Sequence, residues 1–386
     1  MKRKIGRNSL LVALWLGLVI SSYVSVLAPT RAIASDQEFP QSVLIEGLES
    51  LKINESLRYL EDPEGRESAG SILGMYQEGA LAQVPEGKNG FGFTRSTYWI
   101  VFSLGHDAKS NKEIVLSQNY ANTDRVEFWH FSRDGTVLTN QLRGDRVKYS
   151  NKNEIDRLPS VRLSVPSGES IVVMRLDSKG SMVVDFWLHK IQDYQKKQLF
   201  EYVFITVLLG CLAIMAAYNF FIWVQLGKIT YLLYCGFVLG MISQVLSFSG
   251  LFRHLSPDNL FLTNELYLIG GNFTSIFALF FTQYFLSLDK QNKWFGRIIF
   301  AQIFALFGCF LFIPFSYDVA AKVSIVIVIL SSLTKLGLGL FLCFKKFRPA
   351  YFFTLAWTIV ILGNVIRMLA LSGSIPLNFY TLWAFW

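Results

Sequence analysis

Charge is scarce in this chain. Charged residues make up 17% of its 386 residues, where soluble globular domains carry about 25%. The deficit points part of the chain to lipid rather than water. Cysteine is scarcer still: Cys211, Cys235, Cys309 and Cys343 all lie in apolar stretches, and residues 35–200 have none. That segment therefore has no disulfides to rely on and needs a core of its own. The four histidines, His106, His130, His189 and His254, are scattered. No H-E-x-x-H, C-x-x-C, G-x-S-x-G or phosphate-binding loop is present, so nothing marks a metal centre, a nucleophile or a nucleotide site. No enzyme activity, cofactor or metal is expected. The net charge of +8 does not indicate nucleic acid. The basic residues cluster at the N-terminus and between apolar runs, with no basic stripe interleaved with aromatics.

What the chain has in excess is apolar surface: 52% hydrophobic residues, 15% aromatic and a mean hydropathy of +0.38. The excess is uneven. Residues 35–200 are fairly polar, whereas 202–386 form a nearly continuous apolar tract with short polar connectors. Three segments are expected: an export signal over 1–34, an extracytoplasmic domain over 35–200 and a transmembrane bundle over 201–386. Lys2, Arg3, Lys4 and Arg7 precede an apolar run from Leu10 to about Leu27, and Ala32-Ile33-Ala34 offers a small-x-small cleavage site. The run also suits an uncleaved anchor. Under either reading the segment from Ser35 onward is exported.

The exported segment reads as short strands separated by turns. Residues 97–104, 113–117, 125–131, 136–142, 160–165, 170–177 and 182–188 form a series of short runs, the first of them β-branched and aromatic. Ser132-Arg133-Asp134-Gly135 suits a hairpin turn. Pro166-Ser167-Gly168 and Ser178-Lys179-Gly180 mark later ones. The spacing predicts an all-β sandwich or jelly roll. Val126 and Phe128 alternate with Trp129 and Phe131. Such a strand is either covered on both faces or carries an exposed aromatic binding face.

A membrane-spanning helix needs about 20 apolar residues. Residues 202–226, 230–249, 263–288, 295–313, 319–344 and 351–371 supply six, and 377–386 begins another before the chain stops. With the β-domain outside, Lys228, then Lys290, Lys293 and Arg297, then Lys345, Lys346 and Arg348 fall in cytoplasmic connectors. The connectors near Arg253 and Asp318 are less basic, so the bias obeys the positive-inside rule. Trp223, Trp294, Trp357 and Trp383 near helix ends fit an interfacial belt.

Taken in order, these residues resemble a known family, the bacterial 7TM receptors with diverse intracellular signalling modules. In the exported part the resemblance rests on Leu57-Arg58-Tyr59-Leu60-Glu61-Asp62-Pro63, Gly92 before Tyr98-Trp99-Ile100-Val101-Phe102, and Asp124-Arg125-Val126. Gly144-Asp145, the stretch 157–166, and Leu176, Ser178 and Gly180-Ser181 extend it. In the apolar part it rests on Gly210, Tyr218-Asn219-Phe220-Phe221, Tyr231-Leu232-Leu233-Tyr234, Gly250-Leu251-Phe252 and Gly363-Asn364-Val365-Ile366-Arg367. The resemblance implies a jelly-roll, carbohydrate-binding-like sensor, a multi-pass helix bundle in the bacterial cytoplasmic membrane, and a cytoplasmic output module. The chain ends at Trp386 before such a module. The expectation is a receptor truncated before its output domain, or one working through a separate cytoplasmic signalling protein, with a homodimer as a further candidate state.

Within that frame Asp124, Arg125 and Trp129 are the candidate ligand-binding residues. Trp129 shares a strand face with Arg125 and Glu127, and an aromatic ring suits the apolar face of a sugar. Core packing and a turn-side ion pair are the competing readings. In the bundle, Glu265, Asn272, Lys335 and Arg367 are candidate polar switch residues, because polar groups are costly in lipid. Asn219, Gln244, Gln283 and Asn364 read as interhelical hydrogen bonders. Lys335, mid-way along its helix, needs a partner or a cavity. It also keeps alive the alternative of a membrane transporter or channel with an accessory periplasmic domain.

Overall fold

The computed structural model describes residues 42–148, 156–257, 259–372 and 374–385. The expected export signal lies outside them. Contacts divide the chain into two compact units. One comprises the described residues up to Glu201 together with those of Val365–Ala384; the other comprises the described residues of Tyr202–Asn364.

Among the described residues the first unit is built on thirteen strands: β1 (Val43–Leu44), β2 (Ser50–Lys52), β3 (Arg58–Asp62), β4 (Ala82–Gln83), β5 (Gly90–Phe93), β6 (Thr97–His106), β7 (Lys112–Gln118), β8 (Arg125–Ser132), β9 (Val137–Arg143), β10 (Ser160–Val165), β11 (Gly168–Asp177), β12 (Ser181–Val183) and β13 (Phe186–Lys190). A large sheet runs β4-β3-β6-β11-β8-β9, with β1 parallel to β6. A second sheet runs β10-β7-β13-β2, and β5 pairs with β12. This is the expected antiparallel β-sandwich. Its core alternates along each strand as the two-residue period requires: Tyr98, Ile100, Phe102 and Leu104 of β6 meet Ile114 and Leu116 of β7 and Phe186 and Leu188 of β13.

One expected strand divides in two. Residues 182–188 form β12 and β13, which belong to different sheets. Between them the Asn54 side chain donates to Val184 O (2.6 Å) and accepts from Phe186 N (3.0 Å). The fully buried Asp185 pairs with Lys52 at 2.8 Å. Side chains thus replace the ladder where the chain changes sheets. A helix that the strand pattern did not reveal, α1 (Ala69–Gln77), begins on Ser68, whose Oγ accepts from Ser71 N. It lays Ile72, Leu73 and Tyr76 over Trp99, Val101, Phe131 and Val173, on the outer face of the large sheet.

The remaining helices are α2 (Ile191–Leu226), α3 (Ile229–Phe248), α4 (Phe252–Leu255), α5 (Leu260–Phe285), α6 (Leu288–Gln291), α7 (Lys293–Phe312), α8 (Tyr317–Phe344), α9 (Arg348–Leu371) and α10 (Phe379–Trp383). Six of them, α2, α3, α5, α7, α8 and α9, are long and apolar enough to cross a membrane. The helix that carries the first expected span begins earlier, at Ile191, and its turns before Tyr202 belong to the sandwich unit. The third stops at Phe285, because Ser287 adopts φ +50° and α6 comes after it as a separate turn. In the stretch 377–386 only α10 is helical among the described residues, with an Asn378–Thr381 capping box at its start.

In the helical unit α3 and α5 approach backbone to backbone. A Cβ on Gly240 would lie 2.8 Å from Thr274 N, and one on Gly236 would enter the Phe277 ring. Small residues four apart permit this in lipid, where packing rather than the hydrophobic effect holds helices together.

Candidate functional site

The strand register arranges the outer face of the large sheet in rows. One row reads Arg125, Asp177, Thr97, Asp62; the next reads Glu127, Arg175, Trp99, Leu60; a third brings Trp129 beside Val173 and Val101. Helix α1 covers the apolar end of this face. The charged side chains of the first two rows stay outside this cluster, with Arg125 exposed and Glu127, Arg175 and Asp177 half-buried, while half-buried Trp129 packs against its edge.

These side chains are already ordered by one another. Trp129 stacks on Trp99 with centroids 5.6 Å apart, and the Arg175 guanidinium sits 5.7 Å from the Trp99 ring. Arg175 also pairs with Asp177 at 3.3 Å. Trp99 is 1% exposed, so its ring is committed to packing; its Nε1–H donates to Asp62 Oδ2 at 3.3 Å. Burial opposes ionisation of Asp62, but the amides of Glu67, Arg66 and Gly65 and the Trp99 N–H outweigh it and hold the carboxyl below its usual range. Burial pushes Glu127 upward against the pull of Arg175 and Arg125. The result is a half-buried Trp129 on a face where Arg175 and Asp177 are fixed by their pairing.

Of the three residues singled out from the sequence, Arg125 and Trp129 share this face. Asp124 stands at the strand end in other company. It pairs with Arg146 at 3.2 Å and accepts from Lys179 N at 3.1 Å, and burial raises its carboxyl despite Arg146. Gly144 is more than a turn here: a Cβ on it would lie 2.8 Å from Arg125 Cα, and its φ is +133°. Arg175 and Asp177 escaped sequence reasoning because only cross-strand register brings them to Trp129.

A second polar assembly lies on the outer face of the small sheet, where the first three turns of α2 rest. Tyr194 Oη and Gln198 Nε2 each donate to the Asp156 carboxylate at 2.6 Å, and Ser160 Oγ donates to it at the same distance. Arg157 forms an ion pair with Glu201, both side chains nearly sequestered from solvent. The Trp187 ring stacks on His189, Tyr194 packs on His189, and Lys197 reaches over Trp187 to Asn119 Oδ1 at 3.3 Å. Nothing in the sequence spacing links Asp156 and Arg157 to residues some forty positions on.

In the helical unit Gln244 donates to Thr274 Oγ1 (2.8 Å), Asn272 to Ser324 Oγ (3.0 Å) and Gln302 to Thr334 Oγ1 (2.8 Å). Gln283 bonds Asp289 at 2.6 Å, whereas Asn219 and Asn364 turn back onto carbonyls of their own helices. Lys335 is 2% exposed on α8. Its ammonium lies 4.0 Å from the Trp357 ring centroid, and among the described residues no carboxylate pairs with it. Glu265 and Arg367 are both buried, Glu265 in the helical unit and Arg367 in the sandwich-containing unit. Among the described residues no cluster of three or more His, Cys, Asp or Glu side chains could hold a metal ion.

Comparison with known families matches the 7TM diverse intracellular signalling domain to residues 201–385. The 7TMR-DISM extracellular 2 domain matches residues 54–190. No curated protein matches the chain.

Proposed function

We propose, from the premise that this chain belongs to the 7TM diverse intracellular signalling family, that it senses a saccharide outside the bacterial cytoplasmic membrane and passes the signal inward through its helices. A transmembrane receptor with an extracellular sensor domain is what that membership entails; the ligand class and the membrane are this proposal's additions. The observation that carries the ligand class is the half-buried Trp129, stacked on Trp99, on the sheet face that also carries Arg125, Glu127, Arg175 and Asp177. A ring face suits the C–H side of a pyranose, and the Arg175–Asp177 pair, already held in place, bonds hydroxyls with little ordering cost. Binding shifts the bundle only as far as the ligand prefers one state over another. The cytoplasmic membrane is supported by the lysines and arginines gathered at alternate connectors.

The test is a glycan array probed with the purified chain in nanodiscs. A saccharide should bind, and Trp129→Ala should weaken it about tenfold, equivalent to ~1.4 kcal/mol. Binding to none removes the saccharide while leaving the receptor. Transport is the second reading, favoured by Lys335, whose buried ammonium lies against the Trp357 ring. Solute uptake into vesicles that disappears in Lys335→Ala would replace the receptor reading.

A further inference from the structure

We infer that Asp156 and Arg157 are positioning residues through which the sandwich sets the first spanning helix. β13 ends at Lys190 and α2 begins at Ile191, so no linker separates sheet from helix. The first three turns of α2 belong to the sandwich unit, and the same helix continues to Leu226 without a proline. At a rise of about 1.5 Å per residue, such a helix is roughly 50 Å long.

The grip on those first turns comes from the connection between β9 and β10. Tyr194, Gln198 and Glu201 are spaced four and three residues apart, so they line one side of the helix. All three are held by two consecutive residues. Asp156 accepts from Tyr194 Oη, Gln198 Nε2 and Ser160 Oγ, and Arg157 takes Glu201. The same connection is tied to the large sheet, since Arg143 at the end of β9 donates from Nε to Ser160 O at 3.1 Å. β9 in turn pairs with β8, the strand of Arg125 and Trp129. A displacement of β8 or β9 therefore has a continuous polar route to the helix: Arg143 to Ser160, Asp156 and Arg157, then Tyr194, Gln198 and Glu201. A buried ion pair suits such a joint because its geometry is exacting: an ion that loses its partner in a low-dielectric site is strongly disfavoured, so the joint has few intermediate arrangements.

The inference rests on the receptor reading for its purpose, but its test needs no ligand. The full chain in nanodiscs carries a nitroxide at Gln225→Cys, at the far end of α2, with its four native cysteines replaced by alanine. Hydrogen exchange is followed in the same samples. Arg157→Gln and Glu201→Gln should each raise exchange of amides 194–201 at least tenfold while strand amides stay within twofold. The nitroxide spectrum should change with them, and the exchanged pair R157E/E201R should restore both. If the strand amides of a variant also lose protection, Asp156→Asn, which keeps the side-chain shape, provides the same readouts. Faster exchange with an unchanged nitroxide would reduce the assembly to an anchor and overturn the inference, as would unchanged exchange at 194–201. A chain that binds no glycan but shows the coupled change keeps the joint and loses the saccharide; vesicle uptake dependent on Lys335 removes the receptor reading by an independent measurement.

Discussion

His130 and His189 are buried in the sandwich with one ring nitrogen each in a hydrogen bond, to Ser170 and Ser50. Burial holds the His130 imidazole at about 4, and burial with the nearby Lys197 holds His189 at about 4, against the usual 6.5. Between pH 6.5 and 4 the unfolded chain binds protons that the folded chain refuses, so stability rises with pH across that window. The contribution is complete above 6.5 and is lost as pH falls towards 4, roughly 3 kcal/mol for each ring. Tryptophan-fluorescence melts should fall steeply over this range, and His130→Gln with His189→Gln should flatten the slope. Gly144 is a second residue with little freedom. Gly144→Ala places a methyl against Asp124 and Arg125 at φ +133° and should cost about 1–3 kcal/mol, read as a lower denaturation midpoint. Lys335 and Trp357 form a pair whose energy a double-mutant cycle with Lys335→Met and Trp357→Leu should read as about 1–2 kcal/mol. A coupling near zero would mean that the ring merely neighbours the amine.

Among elements, the joint between α3 and α5 is the tightest in the helical unit. Gly236 and Gly240 leave room for Phe277 and Thr274, and Gln244 bonds Thr274 beside them. Gly240→Leu should separate the two helices and lower the thermal midpoint in detergent by several degrees, whereas Gly210→Leu, where an added Cβ meets nothing within 4 Å, should leave it unchanged. The six spans were legible in the sequence because each is an apolar run of spanning length. Their ends were less so. α2 extends back to Ile191 because Tyr194, Lys197, Gln198 and Glu201 find partners on the sheet, and hydropathy is blind to polar residues that pack. Helix α1 was missed for a related reason: Gly70 and Gly74 depress its helical signal, and only the waiting surface of Trp99, Val101 and Val173 makes its apolar residues useful.

At the scale of the whole molecule the distribution of basic residues predicts an orientation with Lys346 on the cytoplasmic side. A cysteine at Lys346 should react with a membrane-impermeant maleimide only after the membrane is opened, and one at Leu255 should react in intact spheroplasts. The reverse pattern would invert the receptor. The prediction depends on charge at the connectors and on no detail of packing.

The sequence by itself determined the membrane character, the approximate places of the six long apolar helices found among the described residues, the sandwich class and the face on which Arg125, Glu127 and Trp129 lie. All of these arise from local periodicity, which a single strand or helix carries in its own residues. Only the tertiary structure decided that Arg175 and Asp177 stand on that face, that α1 covers its apolar end, that residues 182–188 divide between sheets, and that Asp156 and Arg157 hold the start of α2. Each depends on which distant segments pair. A two-residue period states which way a side chain points, but not the strand or helix it will meet.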